Sequence, residues 1–180
     1  MRKVAIIGRC ANTRADAPFD DPEWEVWGLA WDPLMRADRL FEMHENWREQ
    51  DLNLRTGVSD RLEWMRNSGV PVIMQKEEED IPNSVAYPLT DVAKIPGVRK
   101  RGQPYIECSI AYMLLLALHE GAAQIGIWGV DLDTEGEYAY QRPNLEYLIA
   151  ICEARGTPVF VPPASALFTS CFGTRYGVAA

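Results

Sequence analysis

Two apolar runs that contain glycine constrain the fold of this chain more than any other feature. Lys3–Gly8 (KVAIIG) and Ala123–Val130 (AQIGIWGV) place apolar residues at consecutive positions, without the alternation of a half-exposed strand. Continuous apolar runs bounded by glycine are typical of strands buried on both faces of a parallel sheet. Such a sheet needs helices on both of its faces, so the two runs predict an α/β protein.

The rest of the chain supplies further strands and the helices between them. Four shorter segments are strand candidates: Trp24–Trp31, Arg39–His44, Val70–Met74 and Pro158–Val161. Apolar residues recur at helical spacing in three segments: Asp51–Ser68, Ile106–Glu120 and Asn144–Arg155. Pro143 is placed to open the last helix and Gly156 to close it. In a chain of 180 residues this alternation predicts a single Rossmann-like domain, a three-layer α/β sandwich with a mainly parallel sheet.

Two segments have no sustained apolar period. Residues 76–104 contain the charge run KEEED and four prolines. We expect a mobile loop or lid there, with one short element around Leu89–Val92. From Ala164 onward we expect a short helix, followed by a loose tail over residues 170–180.

Charge and cysteine usage exclude several classes of partner. The net charge of −8 and the pI of about 4.8 argue against binding to nucleic acid or to anionic membranes. No segment approaches the ~20 apolar residues that a membrane span needs. The four cysteines form no CxxC pair and the first apolar run is too short for a signal sequence, so we expect a cytoplasmic protein. Six tryptophans can serve either the core or the interface of a homo-oligomer.

Polar residues follow the apolar run that ends at Val130, and the carboxyl ends of parallel strands are where ligands bind in such sheets. Asp131 is nearest the buried strand and is a candidate catalytic base. Asp131 and Asp133 have the Asp-x-Asp spacing of a divalent-metal clamp, although the same residues are also compatible with a solvated acidic loop.

The next segment offers stacking faces and anion ligands. Tyr138, Tyr140, Gln141 and Arg142 follow each other closely. Tyrosines can stack on a base or donate to a phosphate, and a guanidinium can bind an anion through two hydrogen bonds. We therefore predict that these four residues bind a ligand.

The loop after the first strand is a second candidate site for phosphate. Gly8, Arg9, Asn12 and Arg14 offer a close backbone approach, two guanidiniums and an amide, but the dinucleotide fingerprint GxGxxG is missing. A plain turn remains the alternative. Ser109, near the start of the most regular predicted helix, either binds an anion or caps the helix.

Only two histidines are present, and they differ in their surroundings. His119 lies at the end of an apolar helix, where a cation is favourable without any further role. His44 ends a predicted strand beside Glu42 and Glu45 and is the candidate histidine base.

The order of these motifs resembles a known family. KVAIIG with its polar loop is followed by the helix AYMLLLALHEG that opens near Ser109, a strand ending in GVD, the loop EYAY and the strand PVFVPPAS. This layout is similar to that of bacterial sialyltransferases of the Campylobacter lipooligosaccharide type, and to phage-encoded proteins with WGL and YAYQRPN signatures. The resemblance implies that Gly8, Ser109 and Tyr138 surround a nucleotide-linked sugar, with Tyr138 on the phosphate.

The chain also departs from that family. The Asn-Gly-Pro-Ser that follows the family's first strand is Arg9–Asn12 here, and the asparagine of its second turn is replaced within Gly28–Ala30. The lid insertion that carries the family's catalytic histidine is missing. The resemblance therefore implies nucleotide binding more directly than sialyl transfer.

Together these patterns predict a phage-type protein that binds a nucleotide or nucleotide-sugar and is glycosyltransferase-like. One alternative is a noncatalytic protein that sequesters a nucleotide or acts as an oligomeric accessory factor. Another is a hydrolase that processes nucleosides, with Asp131 as its nucleophile or base.

Overall fold

Seven parallel strands form the central sheet, and from one edge to the other they are Ser84–Ala86, Val72–Met74, Arg39–Glu42, Trp24–Leu29, Lys3–Ile7, Gln124–Trp128 and Val159–Phe160. The structure is a computed structural model that describes residues 1–48, 60–132, 136 and 138–168. The strands of this sheet are β1 (Lys3–Ile7), β2 (Trp24–Leu29), β3 (Arg39–Glu42), β4 (Val72–Met74), β5 (Ser84–Ala86), β8 (Gln124–Trp128) and β9 (Val159–Phe160). Two further strands, β6 (Arg99–Lys100) and β7 (Gln103–Pro104), pair as a separate antiparallel hairpin.

Helices and loops cover both faces of the sheet. The helices are α1 (Ala11–Arg14), α2 (Arg61–Asn67), α3 (Leu89–Val92), α4 (Ser109–His119), α5 (Tyr138–Ala154) and a 3-10 helix at Ala166–Phe168. Alternate residues of β1 face opposite layers: Val4 and Ile6 pack with α4 and α5, whereas Ala5 and Ile7 pack with Ala17 and Phe19. On that second face, α2 packs against β3 and β4. The predicted Rossmann-like α/β sandwich with a parallel sheet is therefore confirmed.

The helix α5 begins at Tyr138, so the predicted start at Asn144 was wrong. Pro143 lies inside the helix rather than at its first position. A proline there removes the hydrogen bond to the carbonyl of residue 139, and its ring also crowds that carbonyl, so it weakens the first turns of the helix. An ion pair one turn apart, Arg142 Nε to Glu146 Oε1 at 2.9 Å, spans the proline and supports the helix on both sides of it.

Residues 76–104 contain more regular structure than their sequence indicated. The predicted element at Leu89–Val92 is the helix α3, but β5 and the hairpin β6–β7 were missed. These strands are two or three residues long and largely exposed, so they carry no apolar period. Tyr87, Val92 and Val98 anchor the segment in the core.

The ends of other predicted elements fall partly outside the described residues. The predicted helix over 51–68 was wrong in its start: α2 begins at Arg61, because Asp60 is extended and caps it by accepting from the amide of Glu63, and residues 51–59 are not described. The predicted short helix after Ala164 corresponds to Ala166–Phe168, and the predicted tail at 170–180 lies outside the described part.

The tryptophans pack mainly into the core. Trp27, Trp31, Trp47 and Trp128 are buried, and Trp24 and Trp64 are half-buried. They therefore leave little aromatic area for the subunit interface that their number suggested.

Four charged side chains form a ring at the edge of the sheet where β1 begins. Arg2 and Arg39 each contact both Glu25 and Glu120, at 2.7–2.8 Å. The indole of Trp27 lies under both guanidiniums, with its ring centre 5.5 Å from Arg2 Cζ and 5.0 Å from Arg39 Cζ. The ring joins β1, β2, β3 and the end of α4, far along the strands from the residues that follow their carboxyl ends.

Candidate functional site

β1 and β8 are parallel neighbours in the sheet, and the side on which successive strands are added reverses between them. From β1 the chain continues through β2 to β5 on one side, whereas β8 leads to β9 on the other. At such a switch point the loops that leave the two strands turn to opposite faces and open a crevice. A cleft of about 640 Å³ lies at the carboxyl ends of the strands here.

Six segments of the chain line the cleft. Its lining residues are 8–10 after β1, Leu29 and Trp31 at the end of β2, Met43 and His44 after β3, residues 106–110 and Tyr112 around the start of α4, residues 129–132 after β8, and Tyr138, Tyr140 and Gln141 at the start of α5. Apolar and polar groups are mixed in this set, as is usual for small-molecule sites.

Backbone hydrogen bonds between the segments that end β1 and β8 form the floor of the cleft. The amide of Gly8 donates to the carbonyl of Trp128, and that of Cys10 to the carbonyl of Gly129, both at 2.8 Å. Gly129 has a φ of +66°, which favours glycine. Its own amide donates to the buried hydroxyl of Thr13 at 2.8 Å. Thr13 on α1 therefore fixes the turn that ends β8.

The amino ends of two helices meet at this cleft. Cys108 is the N-cap residue of α4 and makes no side-chain capping bond, so Ser109 lies in the first turn and is not the cap. Tyr138, Tyr140 and Gln141, in the first turn of α5, line the same cleft. Amide groups in a first helical turn have no partner within the helix and carry a partial positive charge. Their convergence makes the cleft suited to an anion such as a phosphate.

A buried asparagine joins the two helices. Asn144, fully buried on α5, accepts from the amide of Glu107 at 3.0 Å and donates to the carbonyl of Tyr105 at 3.0 Å. It thereby holds the segment that leads into α4. The sequence placed this asparagine in a polar run without indicating its partner.

Several predicted ligand-binding residues lie on the cleft and others do not. Gly8, Arg9, Ser109, Tyr138, Tyr140 and Gln141 all line it. Arg14 instead bonds Asp32 at 2.6 Å and the carbonyl of Pro33 at 2.7 Å. Asn12 donates to Asp131 and to the carbonyl of Ala164, and Arg142 pairs with Glu146. Arg14, Asn12 and Arg142 therefore bond to other groups of the protein.

Asp131 lies at the cleft and also supports the fold. Its Oδ1 accepts from the amide of Ala166 at 2.9 Å and from Asn12 at 3.1 Å. Ser165 beside it donates to the carbonyl of Val130 at 2.6 Å. Asp131 therefore attaches the 3-10 helix to the end of β8.

The suggested metal pair has only one described member. Asp133 lies outside the described residues, as do the neighbouring acidic positions Glu135 and Glu137. In the part of the chain that is described, no three His, Cys, Asp or Glu side chains are grouped to hold a metal ion.

His44, the predicted histidine base, lines the cleft at the end of β3. Its ring Nδ1 lies 2.7 Å from Oε1 of Glu42, which is fully buried. The other carboxylate oxygen contacts the guanidinium of Arg61 on α2. Burial of Arg61 lowers its pKa to about 10, which leaves the guanidinium charged at neutral pH.

The indole ring of Trp31 lies next to both His44 and Arg61. The ring of Trp31 lies 5.0 Å from that of His44, and Cζ of Arg61 lies 5.3 Å from the centre of Trp31. Arg61 was missed in the sequence because it lies on a different element from His44 and nothing local marks it.

The fold and the cleft define a class: a Rossmann-like α/β protein with a cleft at the switch point of a parallel sheet. No protein-family model matches the chain, and no curated protein sequence matches it.

The fold is similar to those of solved sialyltransferases. One is the sialyltransferase CstII from Campylobacter jejuni in complex with cytidine-5'-monophosphate, with a TM-score of 0.53, 14% identity, and coverage of 93% of this chain and 82% of that one. A second is sialyltransferase CST-II with a trisaccharide acceptor and CMP, with a TM-score of 0.55, 11% identity, and coverage of 89% and 80%. A third is an apo α-2,3-sialyltransferase from Campylobacter jejuni, with a TM-score of 0.50, 10% identity, and coverage of 100% and 80%. The resemblance inferred from the sequence is thus confirmed as a distant one, at the level of fold.

Among the described residues, no helix has the length and apolar character to cross a membrane.

Proposed function

We propose that this protein binds a nucleotide or nucleotide-sugar in the cleft, with the phosphate between the amino ends of α4 and α5. The convergence of these two helix termini on one cleft is the observation that carries the proposal. The aligned peptide dipoles of the two helices favour an anion there.

The walls of the cleft suit the rest of a nucleotide. Tyr138 and Gln141 offer a hydroxyl and an amide at the start of α5, next to the proposed phosphate position. Leu29, Trp31 and Met43 give the β2–β3 end an apolar surface for the face of a sugar. We assign the tyrosine hydroxyl to the phosphate, because a hydrogen bond to a charged group is stronger than one to a neutral group.

We further propose that the protein is glycosyltransferase-like, of phage type and cytoplasmic. The solved structures of similar fold that contain CMP support the first part. The thiols of Cys10, Cys108 and Cys152 form no disulfide, which suits a reducing compartment. Hydrolysis of a nucleoside through Asp131 is less favoured, because Oδ1 of Asp131 already accepts two hydrogen bonds that hold the fold.

Calorimetry with CMP, UMP and GMP tests this function. In Tyr138→Phe, which loses only the hydroxyl, we expect the affinity for the preferred nucleotide to fall about tenfold or more, as for a lost hydrogen bond to a charged group. Tyr147→Phe is the matched control on the same helix, since its hydroxyl donates to the carbonyl of Gly97 away from the cleft. Absence of binding by the wild-type protein, or equal affinities in the two variants, would contradict the proposal.

A further inference from the structure

The cleft holds a histidine and a carboxylate in a fixed relation at its β3 end. Oε1 of Glu42 accepts from the backbone amide of His44 at 2.9 Å and lies 2.7 Å from its ring Nδ1. Glu42 is completely buried, whereas the side chain of His44 keeps 35% of its surface exposed. The two contacts to one oxygen fix both the backbone and the ring of His44.

The state of Glu42 follows from its other neighbour. Its Oε2 contacts Arg61, whose guanidinium is itself buried and donates to the carbonyl of Trp47 at 3.1 Å. A buried guanidinium needs a negative partner, so Glu42 is ionised. An ionised carboxylate can only accept hydrogen bonds, and His44 must therefore carry its proton on Nδ1. In neutral His44, Nε2 is then the nitrogen with the lone pair.

We propose that His44 removes the proton from the hydroxyl group of an acceptor bound at the β3 end of the cleft, with Glu42 and Arg61 as positioning residues. This inference rests on the proposed nucleotide-sugar site. In it the phosphate lies at the α4–α5 end, where the helix termini are, and the acceptor lies beside Trp31 and His44. The sugar of the donor therefore bridges the two ends.

The proposed transfer replaces one bond at the anomeric carbon of the donor sugar with another. The acceptor oxygen forms a bond to the anomeric carbon while its proton passes to Nε2 of His44. The bond between the anomeric carbon and the phosphate oxygen breaks, and its electron pair stays on the departing nucleotide. The amides at the starts of α4 and α5 stabilise that added negative charge. The carboxylate of Glu42 stabilises the imidazolium formed on His44, as an orienting carboxylate does in catalytic triads.

Two measurements on the same proteins test the inference. CMP binding by calorimetry reports on the nucleotide site, and release of free nucleotide from CMP-, UDP- and GDP-linked sugars reports on turnover. We expect His44→Gln to lower kcat about 10²–10⁴-fold, as for loss of a general base, with CMP affinity unchanged within about twofold. His119→Gln, on the other histidine and away from the cleft, is the control that keeps wild-type turnover.

Added imidazole separates a chemical role from a structural one. In His44→Gly we expect imidazole to restore part of the lost turnover, because it can occupy the vacated space and accept the proton. Unchanged kcat in His44→Gln, no rescue by imidazole, or CMP binding without turnover of any nucleotide-sugar would each overturn the inference. Absence of nucleotide binding by the wild-type protein would instead overturn the proposed function on which it rests.

The positioning role of Glu42 is tested by a separate variant and by nitrogen-15 spectra. Glu42→Gln keeps the shape but removes the charge, and we expect it to lower kcat while KM for the nucleotide-sugar stays constant. Because this change leaves the buried Arg61 without a negative partner, the variant can fail to fold. Nitrogen-15 spectra of the wild-type protein then decide the point: a proton on Nδ1 of neutral His44 supports the inference, and a proton on Nε2 overturns it.

Discussion

Gly8 and Gly129 lie against each other where β1 and β8 end, so closely that a Cβ on Gly129 would be 2.7 Å from the carbonyl oxygen of Gly8. The contact is backbone to backbone, and neither partner can turn aside as a flexible side chain would. It brings the two strands that flank the switch point together and sets the floor of the cleft. The glycines at these two positions are therefore a requirement of the site and not only of the turns.

Gly8→Ala tests this contact. The new methyl group would lie 2.6 Å from Cγ2 of Val130 and against the carbonyl of Gly129, so the strand ends must separate. We expect a loss of about 1–3 kcal/mol in the free energy of unfolding, as for overpacked cores, together with weaker nucleotide binding. Urea unfolding and calorimetry measure the two effects. In the control Gly28→Ala the methyl meets side chains only, most closely the flexible end of Leu34, so nucleotide affinity should be retained.

Thr13→Val removes the hydroxyl that receives the amide of Gly129 and keeps the shape of the side chain. Because Thr13 is fully buried, the amide loses its partner with no water to replace it. We expect a cost of about 1–3 kcal/mol in unfolding free energy and faster hydrogen exchange of the Gly129 amide. Thr13→Ser retains the hydroxyl and should keep the slow exchange. Equal exchange rates in the two variants would contradict this role for Thr13.

Asn144→Leu should loosen the start of α4. The change leaves the amide of Glu107 and the carbonyl of Tyr105 without their partner, and we expect a loss of about 1–3 kcal/mol in unfolding free energy. Because Glu107 leads directly into the first turn of α4, nucleotide affinity should fall as well. Asn67→Leu, at an exposed position on α2, is the control. A variant at Asn144 with wild-type stability and affinity would show that the asparagine does not position α4.

The ring of charges around Trp27 should make stability depend on pH in acid. Partial burial alone would raise the pKa of Glu25, but the hydrogen bond from Arg2 and the charge of Arg39 outweigh it and hold that pKa below its ordinary value of 4.5. The folded state thus favours the ionised carboxylate, and this stabilisation is complete above pH 4.5 and is lost as the pH falls through the lower folded value.

Urea unfolding from pH 7 to acid measures the contribution of Glu25. We expect Glu25→Gln to be less stable than wild type at pH 7 and the difference to shrink in acid. Glu23→Gln is the control, because Glu23 pairs with Lys3 on the surface and its side chain is 68% exposed. A difference that stays constant over the whole pH range would contradict the assignment.

The sequence predicted the elements whose pattern is local. The runs that became β1 and β8, and the apolar helix α4, were recognised because burial on both faces leaves a continuous apolar signal. Their order also implied where polar residues would meet, and Gly8, Ser109 and Tyr138 do line one cleft. Short exposed strands such as β5 give no such signal, because their pairing depends on neighbours distant in the chain.

The contacts that polar side chains make could not be predicted from the sequence for the same reason. Arg14 was assigned to a ligand by its residue type, but its partner is Asp32 at the end of β2. Glu42 was noted beside His44, whereas Arg61, which contacts the same carboxylate, comes from α2. Which groups a side chain meets is decided by the packing of whole elements, and spacing along the chain does not encode it.

In the proposed site, a nucleotide binds with its phosphate at the starts of α4 and α5. The most direct test is a titration of the protein with CMP, followed through the backbone amide signals in nitrogen–proton NMR spectra. We expect saturable shifts at the amides of Ser109, Ile110 and Tyr140, all described by one dissociation constant, and no shift at Gly121, beyond the opposite end of α4. No saturable shift at the helix termini with CMP, UMP or GMP, or shifts confined to residues outside the cleft, would contradict the account.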